Sequence, residues 1–437
     1  MPHLKSAAAF FAGLSVALCS SVAVAQTEIT WWHAMGGSLG ETVNEIATNF
    51  NASQNEVALT PVFKGTYEEA LTSGIAAFRA GEQPNILQVF DAGAATIIGA
   101  KGAVVPVQDL LEASGSFDIN DYISGVRYFY ADSDGKMIGM PFNSSAPILY
   151  YNTAALEAAG VEAPATWEEF EAIAPKLKEA GYIPLVQSHL PWEFTENFFS
   201  RNNLQFATNN NGYDGSEGTK LLVNSPELKM MFSKLAEWKA SGLFEFYGAN
   251  CGDNQTPFEQ GKVALWVGSS GSFGGLQKSA TMPFGAVALP CWESIVGSKD
   301  CYQSFIGGGS LFAMAGKSPE ENAATATFFE YLSSPEVQLM WHKQTGYVPI
   351  TTAAYELAKT EGYYEETPAA EVGIHQLNAR PGDWTKGYRM GFYVQIRDVM
   401  NREYGKLLSG ETTVDAAFAT IEAEGNQLLE RFAKTNS

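Results

Sequence analysis

The chain has little of what most enzymes use at a reacting centre. Five histidines and four cysteines are scattered through 437 residues. No C-x-x-C pair, His/Cys cluster, H-E-x-x-H or G-x-S-x-G occurs, so neither a metal nor another cofactor is expected. Gly316-Lys317-Ser318 has the ending of a phosphate-binding P-loop, but the glycine required five residues before Gly316 is Leu311. Positive charge is scarce: 27 Lys and Arg face 48 Asp and Glu, a net charge of −21. That balance favours solubility and argues against nucleic acid or an anionic membrane as partner. Carboxylates abound without a marked pair. An exported hydrolase stays open, because glycosidase carboxylates need not be neighbours in sequence.

Long apolar runs are also lacking, except near the start. Lys5 is followed by an apolar stretch from Ala7 to Leu18, then small residues ending in Ala23-Val24-Ala25 before Gln26. The stretch is too short to span a bilayer, and its A-x-A end marks residues 1–25 as a cleaved secretory signal peptide. Cys19 follows Leu18, where lipoprotein signals carry a small residue, which favours simple cleavage. Removing one Lys and no acid leaves 26 basic against 48 acidic residues, a mature charge of −22. Cys251, Cys291 and Cys301 remain in a compartment that permits disulfides. Cys291 and Cys301 flank a polar, Gly-containing loop and are the better pair, although sequence leaves the connectivity open.

What is present is alternation. Glu28–His33, Val57–Phe63 and Pro84–Phe90 read as strands, the last as a buried one. Between them, Val43, Ile46, Ala47 and Phe50, then Tyr67, Leu71, Ile75 and Phe78, fall at helical spacing. The β-α-β-α-β order predicts an α/β fold with right-handed crossovers. The pattern restarts after Pro141. Thr166-Trp-Glu-Glu169 has the form of a capping box, Val263–Val267 and Ser304–Ala315 read as strands, and helices dominate from Glu320. The length fits two α/β lobes joined by strands crossing near Pro141, Gly307–Gly309 and Pro349.

Several loops following these strands combine hydroxyls, glycines and aromatics: Lys64–Tyr67, Phe90-Asp91, Asn143–Ser145, Gly268–Ser272, Gly307–Ser310, Thr345–Tyr347 and Gln395–Arg397. Ligands bind at the carboxyl ends of strands in open α/β sheets, and a small polar ligand needs this mix of groups. Each has a plainer reading. The glycines fit turns, the Ser pairs fit helix caps, and Tyr67 fits a core-facing helix position. Arg397, near Asp398 and Glu403, fits a surface ion pair. Together they indicate a binding cleft and no particular ligand.

Six segments go further: PVFKGTYEEALTSGIAAFRAGEQPNILQVFDAG (61–93), PFNSSAPILYYN (141–152), IGGGSLF (306–312), WHKQTGYVPIT (341–351), TKGYRMGFYVQIR (385–397) and GNQLLERF (425–432). With Trp32-His33, they resemble the family 1 extracellular solute-binding proteins across the mature chain. The resemblance implies a two-lobed periplasmic-binding-protein clamshell with the ligand cleft between lobes. Lobe 1 is expected at 26–141 with 308–349, and lobe 2 at 142–307 with 350–437. It implies a monomeric binding protein and not an enzyme, which delivers a small phosphate ester such as glycerol-3-phosphate to the membrane permease and ATPase of an ABC importer. Ligand contacts carry over to Tyr67, Asp91, Ser145, Ser269, Gly308, Tyr347 and Arg397, with Arg397 offering a fork to phosphate. Two positions depart from the family pattern: Asp91 stands in place of Glu, and His189 in place of Trp, with Trp192 nearby. Both changes widen the site and leave room for a glycerophosphodiester. A neutral sugar or oligosaccharide is the alternative ligand.

Overall fold

The computed structural model describes residues 26–115, 117–249 and 254–436. The expected signal peptide and Cys251 lie outside the described residues. Eleven strands are seen among these residues: β1 (Thr27–His33), β2 (Val57–Phe63), β3 (Ile86–Phe90), β4 (Val104–Val105), β5 (Met140–Ser145), β6 (Pro147–Asn152), β7 (Ile183–Gln187), β8 (Phe244–Phe246), β9 (Val263–Ser269), β10 (Phe284–Ala288) and β11 (Gly307–Met314). They form two sheets. The first runs β2-β1-β3-β11-β4, with β5 also on β11; the second runs β10-β6-β9-β7-β8. The chain is thus a two-lobed α/β structure.

The first lobe follows its sequence pattern closely. Ile29, Trp31 and His33 alternate onto the buried face of β1, while β3 is buried along its whole length. β1 pairs in parallel with both β2 and β3, so the helices Gly37–Ser53 and Tyr67–Ala80 must cross over the sheet. The second of these is closed at both ends. Thr66 Oγ1 accepts from the Glu69 N–H, Glu69 Oε2 accepts from the Thr66 N–H, and Gly81 ends the helix at φ +74°. The box predicted at Thr166 is made differently. Thr166 Oγ1 accepts from the Glu169 N–H at 3.2 Å, but the Glu169 carboxylate reaches back to the Ala165 N–H at 2.7 Å.

The chain changes sheets within one residue. β5 pairs with β11, β6 pairs with β9, and Ala146 alone lies between β5 and β6. Ser270 pins it from both sides: the Ala146 N–H donates to Ser270 Oγ at 3.2 Å, and the Ala146 carbonyl accepts from the Ser270 N–H at 2.9 Å. The chain returns to the first sheet after β10. The strand predicted from Ser304 begins at Gly307, where pairing with Ser145 starts.

Cys291 and Cys301 form a disulfide. Arg201 holds the chain on either side of the loop that this bond closes, donating to the carbonyls of Leu289 and Tyr302. Among the described residues, no helix is long and apolar enough to cross a membrane. Replacing both cysteines by serine frees this loop in the unfolded chain. By loop-closure entropy it should lower stability by about 2–3 kcal/mol. Denaturant melts of the two proteins measure this, and superimposed curves would show that Arg201 and packing hold the loop without the disulfide.

Candidate functional site

The change of sheets at Ala146 gathers small polar groups from both lobes. Ser145 ends β5 opposite Gly307, and Ser269 ends β9 opposite Pro147. Ser269 Oγ accepts from the Gly271 N–H at 3.0 Å, which orients that turn. Side chains are excluded here for lack of room. A Cβ on Gly271 would sit 2.4 Å from the Tyr347 ring, and one on Gly307 would sit 2.4 Å from the Trp192 indole. Gly308 has φ +88°, and a Cβ there would meet the Asn143 carbonyl oxygen at 1.9 Å. Glycine at these positions lets rings from Tyr347 and Trp192 lie directly on backbone.

Tyr347 stacks on Trp341, with ring centroids 5.6 Å apart. Its carbonyl is bonded by His342 Nδ1 at 2.7 Å, and His342 Nε2 faces the Tyr364 hydroxyl at 3.0 Å. A single proton on Nδ1 satisfies both contacts: Nδ1–H donates to the carbonyl, and Nε2 accepts from Tyr364. Burial accordingly lowers the His342 pKa to about 4. Tyr67 lies parallel to Phe90 at 5.1 Å and accepts from Asn143 Nδ2 at 2.6 Å.

A second group of residues is ionic. Arg397 is buried on the helix Tyr393–Ser409. Its Nε and Nη2 each donate to Glu196 at 2.7 Å, one to each carboxylate oxygen. Nη2 also donates to Asp91 Oδ2, Nη1 lies 3.5 Å from Asp91 Oδ1, and the Tyr388 hydroxyl is 3.3 Å from Nη2. Burial pulls the guanidinium pKa down, but Asp91 and Glu196 more than offset it, leaving the value well above ordinary. Of five N–H donors, Nη1 keeps one with no acceptor among the described residues. Arg397 therefore offers a ligand one contact and no fork. Its partners are Asp91 and Glu196, whereas Glu403 bonds Arg402 and Lys406.

Left-handed backbone occurs close to both ionic elements. His189 (φ +40°) lies just ahead of the turn Pro191–Glu196, and Phe392 (φ +53°) caps the helix bearing Arg397. Such conformations cost energy in a non-glycine residue and are held by surrounding bonds, here the Phe392 N–H to Thr96 Oγ1 and the His189 N–H to the Gly248 carbonyl. His189 Nδ1 lies 3.5 Å from Glu193 Oε2. Burial raises the Glu193 carboxyl pKa and His189 opposes that rise. Trp192 Nε1 and Ser144 Oγ are buried without a hydrogen-bond partner among the described residues.

The nine residues named from sequence thus fall into connected groups: Ser145, Ser269, Gly308 and Tyr347 around the change of sheets; Trp192 over Gly307, with His189 just ahead of the same turn; Tyr67 against Phe90; and Asp91 with Arg397. Glu196 and Tyr388 were missed, and Asn143 was named only as part of the loop Asn143–Ser145. A signal for Glu196 existed: LPWEFTENFFS places two carboxylates in an otherwise apolar stretch, where charge needs a partner.

Two expectations follow. Arg397→Met leaves two buried carboxylates without their cation and should cost about 3–5 kcal/mol of stability. Adding Asp91→Asn and Glu196→Gln should restore most of it, so a single variant that melts like wild type would contradict a closed ionic trio. For His342, the folded pKa lies below the ordinary 6.5, so its stabilisation is present above pH 6.5 and is lost as pH falls toward 4. Unfolding free energy measured across this range should decline less steeply in His342→Gln than in wild type; identical slopes would remove His342 from the acid response.

The profile of the bacterial extracellular solute-binding proteins matches residues 45–371. The sn-glycerol-3-phosphate-binding periplasmic protein UgpB of Rhizobium meliloti (strain 1021) is 39% identical over 414 residues, covering 93% of this chain and 95% of that protein. UgpB of Salmonella typhimurium is 38% identical over 432 residues, covering 97% and 98%. In fold, the crystal structure of UgpB from Mycobacterium tuberculosis in complex with glycerophosphocholine is similar with a TM-score of 0.78 at 22% identity, covering 93% and 99%. The acarbose-binding GacH receptor of Streptomyces glaucescens follows at 0.76 and 20%, covering 93% and 99%. With two lobes joined at Ala146, polar groups gathered where they meet, and this similarity along nearly its whole length, the chain belongs to the bacterial extracellular solute-binding proteins.

Proposed function

We propose that this protein is the periplasmic binding component of an ABC importer, which captures sn-glycerol-3-phosphate or a glycerophosphodiester and hands it to a membrane permease with its ATPase. The observation that carries the reading is that a neutral hydrogen-bonding group of residues, at the change of sheets, and an ionic group, around Arg397, are linked through Tyr130. At the first, Ser145 Oγ, the Ser269 hydroxyl and the Gly308 backbone hold phosphate oxygens by hydrogen bonds. At the second, Asp91 and Glu196 accept from glycerol hydroxyls while Arg397 donates through Nη1. Tyr67, Tyr347 and Trp192 wall the space, with His189 on its rim. The lobes, taken as 26–141 with 308–349 and 142–307 with 350–437, close over the ligand as rigid bodies. Curated relatives named for sn-glycerol-3-phosphate binding support the ligand class. The protein works as an exported monomer after loss of residues 1–25, and it binds its ligand without converting it.

One observation favours a neutral sugar as the second reading. With two carboxylates already on Arg397 and aromatic rings about the cleft, the ionic end suits polyol hydroxyls whether or not phosphate is attached. Calorimetry with glycerol-3-phosphate, a glycerophosphodiester, glycerol and maltose separates the two. Heat should be released with the phosphate esters and not with glycerol or maltose. Binding of maltose, with none of either ester, would transfer the protein to the sugar-binding members.

A further inference from the structure

The ionic end has an unbalanced charge. One guanidinium faces two carboxylates, all within hydrogen-bonding distance and all buried. Among the described residues, the neighbouring groups add no cation. Tyr67, Tyr130, Tyr388 and Tyr393 are phenols that burial holds far above their ordinary pKa, and therefore neutral. Tyr404 lies close enough to Glu196 to feel its charge and is likewise held neutral by burial. The other titratable groups nearest Glu196 in the chain are Glu193, on the same turn, and His189, just ahead of it, which face each other. The phosphate end supplies hydroxyls and backbone, which are dipoles and no full charge. The Tyr130 hydroxyl reaches the Gly308 carbonyl at 3.5 Å and lies close enough to Asp91 and Arg397 to feel their charges, so a ligand that bridges the two groups brings its phosphate near a surplus negative charge, in surroundings where water screens poorly.

We propose that Glu196, with Asp91, makes the cleft select singly charged phosphate esters over doubly charged ones. This rests on the phosphate-ester reading above and adds the charge state of the bound form. A phosphodiester carries one negative charge at every pH near neutrality. A phosphomonoester gains its second charge at about pH 6. Glu196 acts as a specificity residue in two ways. Its two oxygens occupy the Nε/Nη2 edge of Arg397, which removes the fork that would otherwise hold a dianion, and its charge repels the second negative charge of the monoester.

The test is calorimetry of glycerol-3-phosphate and of its methyl diester on the full mature chain, from pH 5.5 to pH 7.5. The diester is the internal reference. Any titration of the protein itself, the His189–Glu193 pair included, moves both ligands, so the ratio of the two affinities is read. The monoester should lose roughly 20-fold relative to the diester over this range, following the second ionisation of phosphate at about pH 6. A constant ratio, or one that moves toward the monoester as pH rises, would overturn the proposal. Failure of both ligands to bind at any pH would instead overturn the phosphate-ester reading beneath it. Glu196→Gln keeps the shape of the side chain and removes its charge. It should recover several-fold of the monoester's loss at pH 7.5. If it weakens both ligands equally and leaves the ratio unchanged, Glu196 only positions Arg397 and does not select charge.

Discussion

A buried guanidinium shared by two carboxylates is the constraint on which the cleft depends. Asp91 opens the helix that follows β3 in the first lobe, Glu196 ends the turn that follows β7 in the second, and Arg397 lies on a helix near the C-terminus. Three distant stretches of chain must therefore meet within hydrogen-bond reach, since none of these charges tolerates burial alone. Left-handed residues occur close to two of the three stretches, at His189 and Phe392. The turns that aim Glu196 and Arg397 are held against their own backbone preference by the structure around them.

The neutral end follows a different rule, which is exclusion of volume. Gly271 and Gly307 leave room for the rings of Tyr347 and Trp192 to lie on the chain, and Gly308 turns where a methyl group would collide with Asn143. Rings placed this way leave few routes for water between them. The hydrogen bonds made at that end are correspondingly stronger than they would be in the open.

The first lobe was legible because its signals are local. The alternation in β1, the apolar run of β3 and the reciprocal cap at Thr66 each arise within about a dozen residues. The Ala165–Glu169 cap was legible only in part, since the pattern fixes that a carboxylate returns to the backbone and not which N–H it meets. The site was harder. Residue type and position after a strand pointed to the segments Asn143–Ser145, Gly268–Ser272 and Gly307–Ser310, and the family resemblance singled out Ser145, Ser269 and Gly308 within them. Arg397 was expected to offer its fork to a ligand, or to pair with Asp398 or Glu403 nearby. Its actual partners lie 306 and 201 positions away. Nothing in spacing encodes such a pairing, because it is set by how two lobes and a terminal helix pack. Glu196 could have been suspected, as a charge among apolar neighbours, but not assigned.

The single residue between β5 and β6 has a mechanical consequence. When two rigid bodies turn about a short connection, a group moves in proportion to its distance from the pivot. Ser145 and Ser269 lie beside Ala146, so a hinge at that residue would barely shift them relative to one another. Asp91 follows β3 of the first sheet and Glu196 ends the turn after β7 of the second, so a hinge at Ala146 would place them on opposite bodies. With such a hinge, one end of a ligand would rest at the pivot while its other end set how far the lobes turn, so the resting angle would gauge the ligand's length.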